Sequence, residues 1–183
     1  MKKLFCIVCL GMLLVASNVM AGEIRLGGSD QYAGHSNKQN YCVDDGAAFE
    51  IGYDHNIFNY YVNSWLGFDL DIGPELILSR YDTAKRERVG DPRYHKRTHT
   101  SVNLSGIIKP TINVWRFSAY YMLGGGADWM EMENDHMSLS YTQGNGIDFR
   151  ITDNVSIGYS EKRVDREDTG FYKYKTILVK IKM

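Results

Sequence analysis

Trp115-Arg116-Phe117-Ser118-Ala119-Tyr120-Tyr121-Met122-Leu123-Gly124 reads with a period of two. Trp115, Phe117, Ala119, Tyr121 and Leu123 share one side, while Arg116, Ser118, Tyr120 and Gly124 share the other, which carries the polar groups. Side chains alternate across a strand, so this stretch is a strand with two chemically different faces. The pattern recurs. Phe49, Ile51 and Tyr53 oppose Glu50, Gly52 and Asp54; Leu66, Phe68, Leu70 and Ile72 oppose Gly67, Asp69, Asp71 and Gly73. Val155, Ile157 and Tyr159 oppose Ser156, Gly158 and Ser160, and Ile177, Val179, Ile181 and Met183 oppose Thr176, Leu178, Lys180 and Lys182. Strands near Glu23–Tyr32, Thr98–Ile108 and Met137–Ile151 bring the count to eight, with almost no helical periodicity elsewhere. Pro74 predicts a bulge or register change, and Gly124, Gly125 and Gly126 predict a bend. The stretch Asp54–Ser64 is too long for a neat turn and takes no place in this scheme.

The chain has 183 residues, 44% of them apolar and 23% charged, with a net charge of -1. That length suits one domain, and the near-neutral charge gives no reason to expect nucleic acid as a partner. A mean hydropathy of -0.34 excludes a bundle of membrane helices. Residues 1–21 read as a secretory signal peptide: Lys2 and Lys3 precede an apolar run from Leu4 to Ala16, and small residues at Val19 and Ala21 offer a cleavage site before Gly22. The expected mature domain is 22–183. Cys6 and Cys9 leave with the leader, so Cys42 has no partner for an internal disulfide. With neither a cysteine cluster nor a spaced histidine pair, no metal site or cofactor is expected.

The connections differ in character. Lys109-Pro110-Thr111-Ile112-Asn113 and Thr152-Asp153-Asn154 read as short turns. Ala33–Asp45, Thr83–Lys96, Met130–His136 and Lys162–Gly170 read as longer polar loops. Short turns at one end and long loops at the other is the pattern of a transmembrane barrel. A secreted lipocalin-like barrel has a similar strand count with the faces exchanged. Three observations favour the membrane. Trp115, Trp129, Tyr53 and Tyr159 sit towards strand ends on the apolar face, where lipid interfaces favour aromatics. The other face collects charges of both signs, Arg25, Glu50, Asp69, Asp71, Arg116, Asp148, Arg150, Lys180 and Lys182, which a narrow lumen can hold only as pairs. The first strand also lacks the Gly-x-Trp of lipocalins. Gln143 and Asn145 run against the pattern, since they fall on the face assigned to lipid.

Tyr120-Tyr121-Met122-Leu123-Gly124-Gly125-Gly126-Ala127 resembles the glycine-rich fifth strand of small OmpA/OmpX-like barrels. The run from Gly144 to Tyr159 resembles their penultimate hairpin, with Gly-x-Gly, an inward acid and base at Asp148 and Arg150, and a Thr-Asp-Asn turn. The resemblance covers about a quarter of the chain through these motifs and the rest by pattern. It implies an all-β, eight-stranded, antiparallel up-and-down barrel of the opacity or OmpX/Ail type in the bacterial outer membrane. Such barrels serve as structural proteins, adhesins or serum-resistance factors.

Two loops invite chemistry. His35-Ser36-Asn37 is similar to the His-x-Ser-Asn run of PagL-type lipid A deacylases, but its histidine and serine are adjacent. Neighbours on a strand point to opposite faces, so His35 is not expected to activate Ser36. The second loop holds Lys85, Arg86, Arg88, Arg93, Lys96 and Arg97, a basic cluster in an acidic mature chain. Such a cluster suits the phosphates of lipopolysaccharide or a sulfated host glycan. The expectation is a monomer without catalysis. Its structural or adhesive role lies in the loops, because eight strands leave an interior just wide enough for side chains.

Overall fold

The computed structural model describes residues 22–35, 41–85, 96–130, 136–167 and 170–183. The leader and the centres of the four longer loops, including Ser36, Asn37, Arg86, Arg88 and Arg93, lie outside the described residues. Eight strands run in chain order: β1 Gly22–His35, β2 Tyr41–Asn63, β3 Leu66–Lys85, β4 Lys96–Val114, β5 Phe117–Met130, β6 His136–Arg150, β7 Val155–Arg166 and β8 Gly170–Lys182. Each pairs antiparallel with its sequence neighbours, and β1 pairs with β8 to close the barrel.

The barrel is inside-out relative to a water-soluble one. Phe49, Ile108, Phe117, Leu139, Ile147 and Ile177 are exposed on its outer surface, while Arg25, Glu50, Glu75 and Lys180 are buried within. Charged groups inside and aliphatic groups outside exclude a lipocalin-like cup, whose apolar face lines the cavity. They fit a wall bathed in lipid, with every strand edge paired.

Several local features differ from expectation. Lys109–Asn113 is not a turn but part of β4; the chain reverses at Trp115-Arg116, where Trp115 takes φ 56° and its N–H donates to the Trp65 carbonyl at 2.7 Å. Pro110 deceived the sequence reading: it stays in register with Leu70 of β3, while the β4–β5 ladder passes from Ile108↔Leu123 to Thr111↔Tyr120 without a shift. Pro74 behaves likewise. It pairs with Gly106, and the β2–β3 ladder resumes across it in unchanged register, from Gly52↔Glu75 to His55↔Ile72. Each proline sits where one ladder lapses, so its missing N–H breaks no bond. Gly124 and Gly126, where a bend is expected, allow close approach between strands: a Cβ at Gly126 would lie 2.0 Å from the Leu104 carbonyl oxygen, and the ladders on both sides run through in even register. The expected turn at Thr152-Asp153-Asn154 is present, and the Thr152 hydroxyl accepts from the Val155 N–H at 3.0 Å.

Asp54–Ser64 belongs mostly to β2, which turns at Ser64-Trp65 around the Asn63 side chain; its Oδ1 accepts from the N–H groups of Trp65 (3.0 Å) and Leu66 (2.8 Å). The β2–β3 register shifts between Asn56 and Phe58 and again between Tyr61 and Asn63. The first shift makes Ile57 an extra residue, so Asn56 faces Asp71 and Phe58 faces Leu70. The bulge thereby keeps Asn56 and Asn59 on the inward side and Phe58 and Tyr60 on the outward side across a sequence whose simple alternation has lapsed.

Stagger follows from the pairing. Stepping from Gly22 through His55, Ile72, Ile108, Leu123, Gln143, Arg163 and Lys173 returns to β1 at Ala33, eleven residues from the start. Each strand is thus offset by about 1.4 residues from the last, the shear that a tilted closed barrel requires. On that scale the strands at the turn end finish nearly level, except the β2–β3 hairpin, whose tip projects beyond the rim.

Candidate functional site

Inward parity brings charges from five strands to one level. Arg25 of β1 stands at the centre. Its Nη1 donates to Glu50 Oε1 (3.0 Å) and Glu75 Oε2 (2.9 Å), and its Nε lies 2.9 Å from Asp54 Oδ2. Lys162 of β7 reaches the same two glutamates at 2.5 and 2.6 Å. Lys109 of β4 pairs with Asp54 and lies 3.3 Å from Asp71. Three cations and four carboxylates thus share one network, in which Arg25, Glu50 and Glu75 are wholly buried. Ions in such a site cost several kcal/mol each to desolvate, so paired geometry is the condition for their presence.

Lys180 pairs with Asp148, and its ammonium lies 4.3 Å from the centre of the Tyr120 ring. Nearer the loop end, Arg166 Nε lies 3.4 Å from Asp128. Above the ion network, Ile77, Tyr81, Val164, Tyr172 and Tyr174 form an apolar cluster, with the Tyr81 and Tyr172 rings 5.6 Å apart. Hydroxyl pairs fill the intervals: Ser29 with Thr176 at 2.7 Å and Ser79 with Ser101 at 2.6 Å.

The structure places Arg25, Glu50, Asp148 and Lys180 deep in the lumen and Asp69 and Asp71 partly buried near its turn end. Asp69 accepts from Asn113 Nδ2, and Asp71 accepts from Asn56 Nδ2 at 2.9 Å. Arg116, Arg150 and Lys182 are corrections: all three are exposed at the turn-end rim, Arg116 because the true turn is there and the others because their strands end there. Sequence reasoning missed Glu75, Lys109, Asp128, Lys162 and Arg166, and left Asp54, already on the polar side of its strand, out of the charge set. Lys109, Lys162 and Arg166 were assigned to connections, and Glu75 follows the proline taken as an interruption; extending each strand's parity by a few residues would have found them.

At the loop end, Lys85 closes β3, and Lys96 and Arg97 open β4, opposite Ala84 and Thr83. His35 ends β1 in register with Phe171. Among the described residues no group of three or more His, Cys, Asp or Glu is placed to hold a metal ion.

No protein-family model matches the chain, and no curated protein matches it. Solved structures do. The outer membrane protein OprG from Pseudomonas aeruginosa superposes with a TM-score of 0.51 at 10% identity, over 90% of this chain and 94% of its own. The outer membrane enzyme PagL gives 0.50 at 10% identity, over 86% of this chain and 98% of its own. Ail of Yersinia pestis, in complex with the heparin analogue sucrose octasulfate, gives 0.50 at 15% identity, over 89% and 100%. The chain therefore has the fold of the eight-stranded bacterial outer-membrane barrels. At such identities the likeness is one of fold, and the fold carries both an enzyme and non-enzymes.

Proposed function

We propose that the protein is a non-enzymatic, monomeric barrel of the bacterial outer membrane, exported with loss of residues 1–21, whose outward loops contact anionic saccharides. The observation that carries this reading is the filled lumen. With Arg25, Glu75 and Lys162 locked together across the interior and the tyrosine cluster stacked above them, the barrel serves as a scaffold and its working surface is the loop end. The turn end bears both described chain ends, so it takes the periplasmic side.

The loop joining β3 to β4, whose sequence carries Lys85, Arg86, Arg88, Arg93, Lys96 and Arg97, then belongs to the outer side of the membrane, where phosphates of lipopolysaccharide or sulfates of a host glycan are met. The similar fold of Ail, solved with a heparin analogue, makes heparin a suitable probe. Replacing Arg86, Arg88, Arg93 and Arg97 with glutamine is expected to weaken heparin binding by roughly fivefold or more at low salt, with the difference shrinking as salt rises. Equal binding by variant and wild type overturns the assignment.

A further inference from the structure

The apolar part of the outer wall has very different heights on the two sides of the barrel. On β3, β4 and β5 the outward residues are apolar, aromatic or glycine from Leu66 to Leu78, from Val114 to Val102 and from Phe117 to Trp129. Each run spans about twelve residues, or about 30 Å at about 2.5 Å of axial rise per residue of a tilted strand. At its foot the β2–β3 hairpin carries the apolar surface lower still, with Tyr60 and Trp65 exposed below the level where the other strands end.

The opposite side is short. Outward residues are apolar, aromatic or glycine from Val155 to Tyr159 on β7, from Ile181 to Ile177 on β8 and from Ile24 to Gly28 on β1. These runs span about four residues each, or about 10 Å. Immediately above them stand Glu161, Lys175 and Asp30, followed by Arg163 and Lys173. Gln143 and Asn145 of β6, which run against the lipid-face pattern in the sequence, lie at the same level. Exposed Arg150, Asp153 and Lys182 set the lower margin. From Lys182 up to Lys175 is about 17 Å, well short of the band of about 25 Å usual for such barrels.

The charges of the low side balance. Arg163 contacts Asp165 twice, Nε to Oδ1 at 2.9 Å and Nη2 to Oδ1 at 2.7 Å. Lys175 stands in register between Asp30 and Glu161, and Glu161 accepts from the Tyr159 hydroxyl at 2.8 Å. With Lys173 the outward cations match the carboxylates, so nothing here selects an anion or a charged partner. What acyl chains cannot give these groups is water. A recess of about 270 Å³ beside Gln143, Asn145, Glu161 and Arg163 has room for it. Rigid tilting does not solve the problem, because it moves both margins of one side in the same direction. Here the upper margin falls and the lower margin rises on the same side. A flat bilayer therefore leaves either the charges of β7 and β8 in oil or the tall wall of β3–β5 in water.

We infer that the barrel acts as a wedge that thins the bilayer on one side. Lipid meets the full wall at β3–β5, while at β7, β8 and β1 the headgroup layer of the loop side descends with its water to Glu161 and Lys175. The partner of this surface is the bilayer itself, and lipids with short acyl chains are the class that fits the low wall. The inference goes beyond the loop reading and holds whatever the loops bind.

Nitroxide labels on single cysteines test it in the full mature barrel, on a Cys42→Ser background in nanodiscs of 18-carbon phosphatidylcholine. Collisions with oxygen report oil, and collisions with a water-soluble nickel chelate report the interface. Leu104→Cys on β4 stands about 2.5 residues nearer the loop end than Ile177→Cys on β8. The lower label, at Ile177, is nevertheless expected to show about tenfold more nickel relative to oxygen contact than the label at Leu104. A flat membrane gives the reverse order and overturns the inference. Phe68→Cys at the foot of the tall wall separates thinning from tilt: thinning keeps that label in oil, and a label found in water overturns the inference. Dipolar broadening between copies labelled at Ile177 also overturns it, since a second copy would then cover the low wall. Glu161→Leu with Arg163→Leu and Lys175→Leu raises the low wall. In the folded variant, identified by heat-modifiable mobility, the Ile177 label is expected to move to the Leu104 value, and an unchanged reading overturns the inference. If the variant does not fold, the label order in the wild-type wall decides.

Discussion

Arg25 shows how a single residue organises this interior. It touches Glu50, Asp54 and Glu75 at once, and its side chain is wholly buried. Arg25→Met leaves those carboxylates with only Lys162 and Lys109 and is expected to cost about 3–5 kcal/mol, the usual penalty for stranding a buried charge. Urea titration of barrels folded in lipid vesicles would measure it; a loss under about 1 kcal/mol would show the network to be dispensable. The glycines of β5 give a paired test. A Cβ at Gly126 would lie 2.0 Å from a carbonyl oxygen, whereas at Gly125 the nearest heavy atom would be 3.9 Å away. Gly126→Ala is therefore expected to lose about 1–3 kcal/mol through overpacking, and Gly125→Ala to stay within about 0.5 kcal/mol, by the same titration. At this scale the sequence was legible wherever parity could be counted from an unbroken run. Arg25 and Glu50 fall on the polar side of such runs and are buried in the lumen, while Lys109 stands beside Pro110, whose sequence context reads as a turn.

The β2–β3 hairpin shows the limit of pattern at the scale of an element. Ile57-Phe58-Asn59-Tyr60-Tyr61-Val62 has no clean period, so nothing in composition distinguishes a strand from a loop there. The ladder explains why: an extra residue at Ile57 resets the alternation, after which Phe58 and Tyr60 join Leu70 and Phe68 outside while Asn59 joins Asp69 on the inward side. Deleting Ile57 should therefore be tolerated, because Asn56 and Phe58 would become ordinary neighbours on opposite faces. Deleting Ile51 would instead flip Asp54 relative to Glu50 and pull the Arg25 network apart. Heat-modifiable mobility on a gel is expected to survive the first deletion and vanish with the second; loss in both would mean that the bulge itself holds the hairpin. Strand number, order and the two kinds of connection were readable because they depend on repeated local signals. Bulges and proline gaps were not, because they depend on which neighbouring strand supplies the missing bond.

At the scale of the molecule, closure sets what the interior can do. Two different materials fill it in series. The lower is the ion network joining Arg25, Glu50, Glu75 and Lys162; the upper is the cluster of Ile77, Tyr81, Val164, Tyr172 and Tyr174. Water and ions must pass both, so opening either one leaves the other shut. Eight strands enclose little more than their own side chains, and the network is held by contacts across the barrel rather than along one strand. In planar bilayers the wild-type barrel is expected to show no steady conductance. Tyr81→Ala with Tyr172→Ala removes the upper obstruction and should still leave it closed. Glu75→Ala with Lys162→Ala removes one acid and one base from the lower layer together, keeping its charge balance, and should also leave it closed. The four substitutions combined should open a water-filled path with measurable single-channel current. Steady conductance in the wild type, or in either double variant, would mean that the two layers do not act in series and that the lumen has a working role of its own.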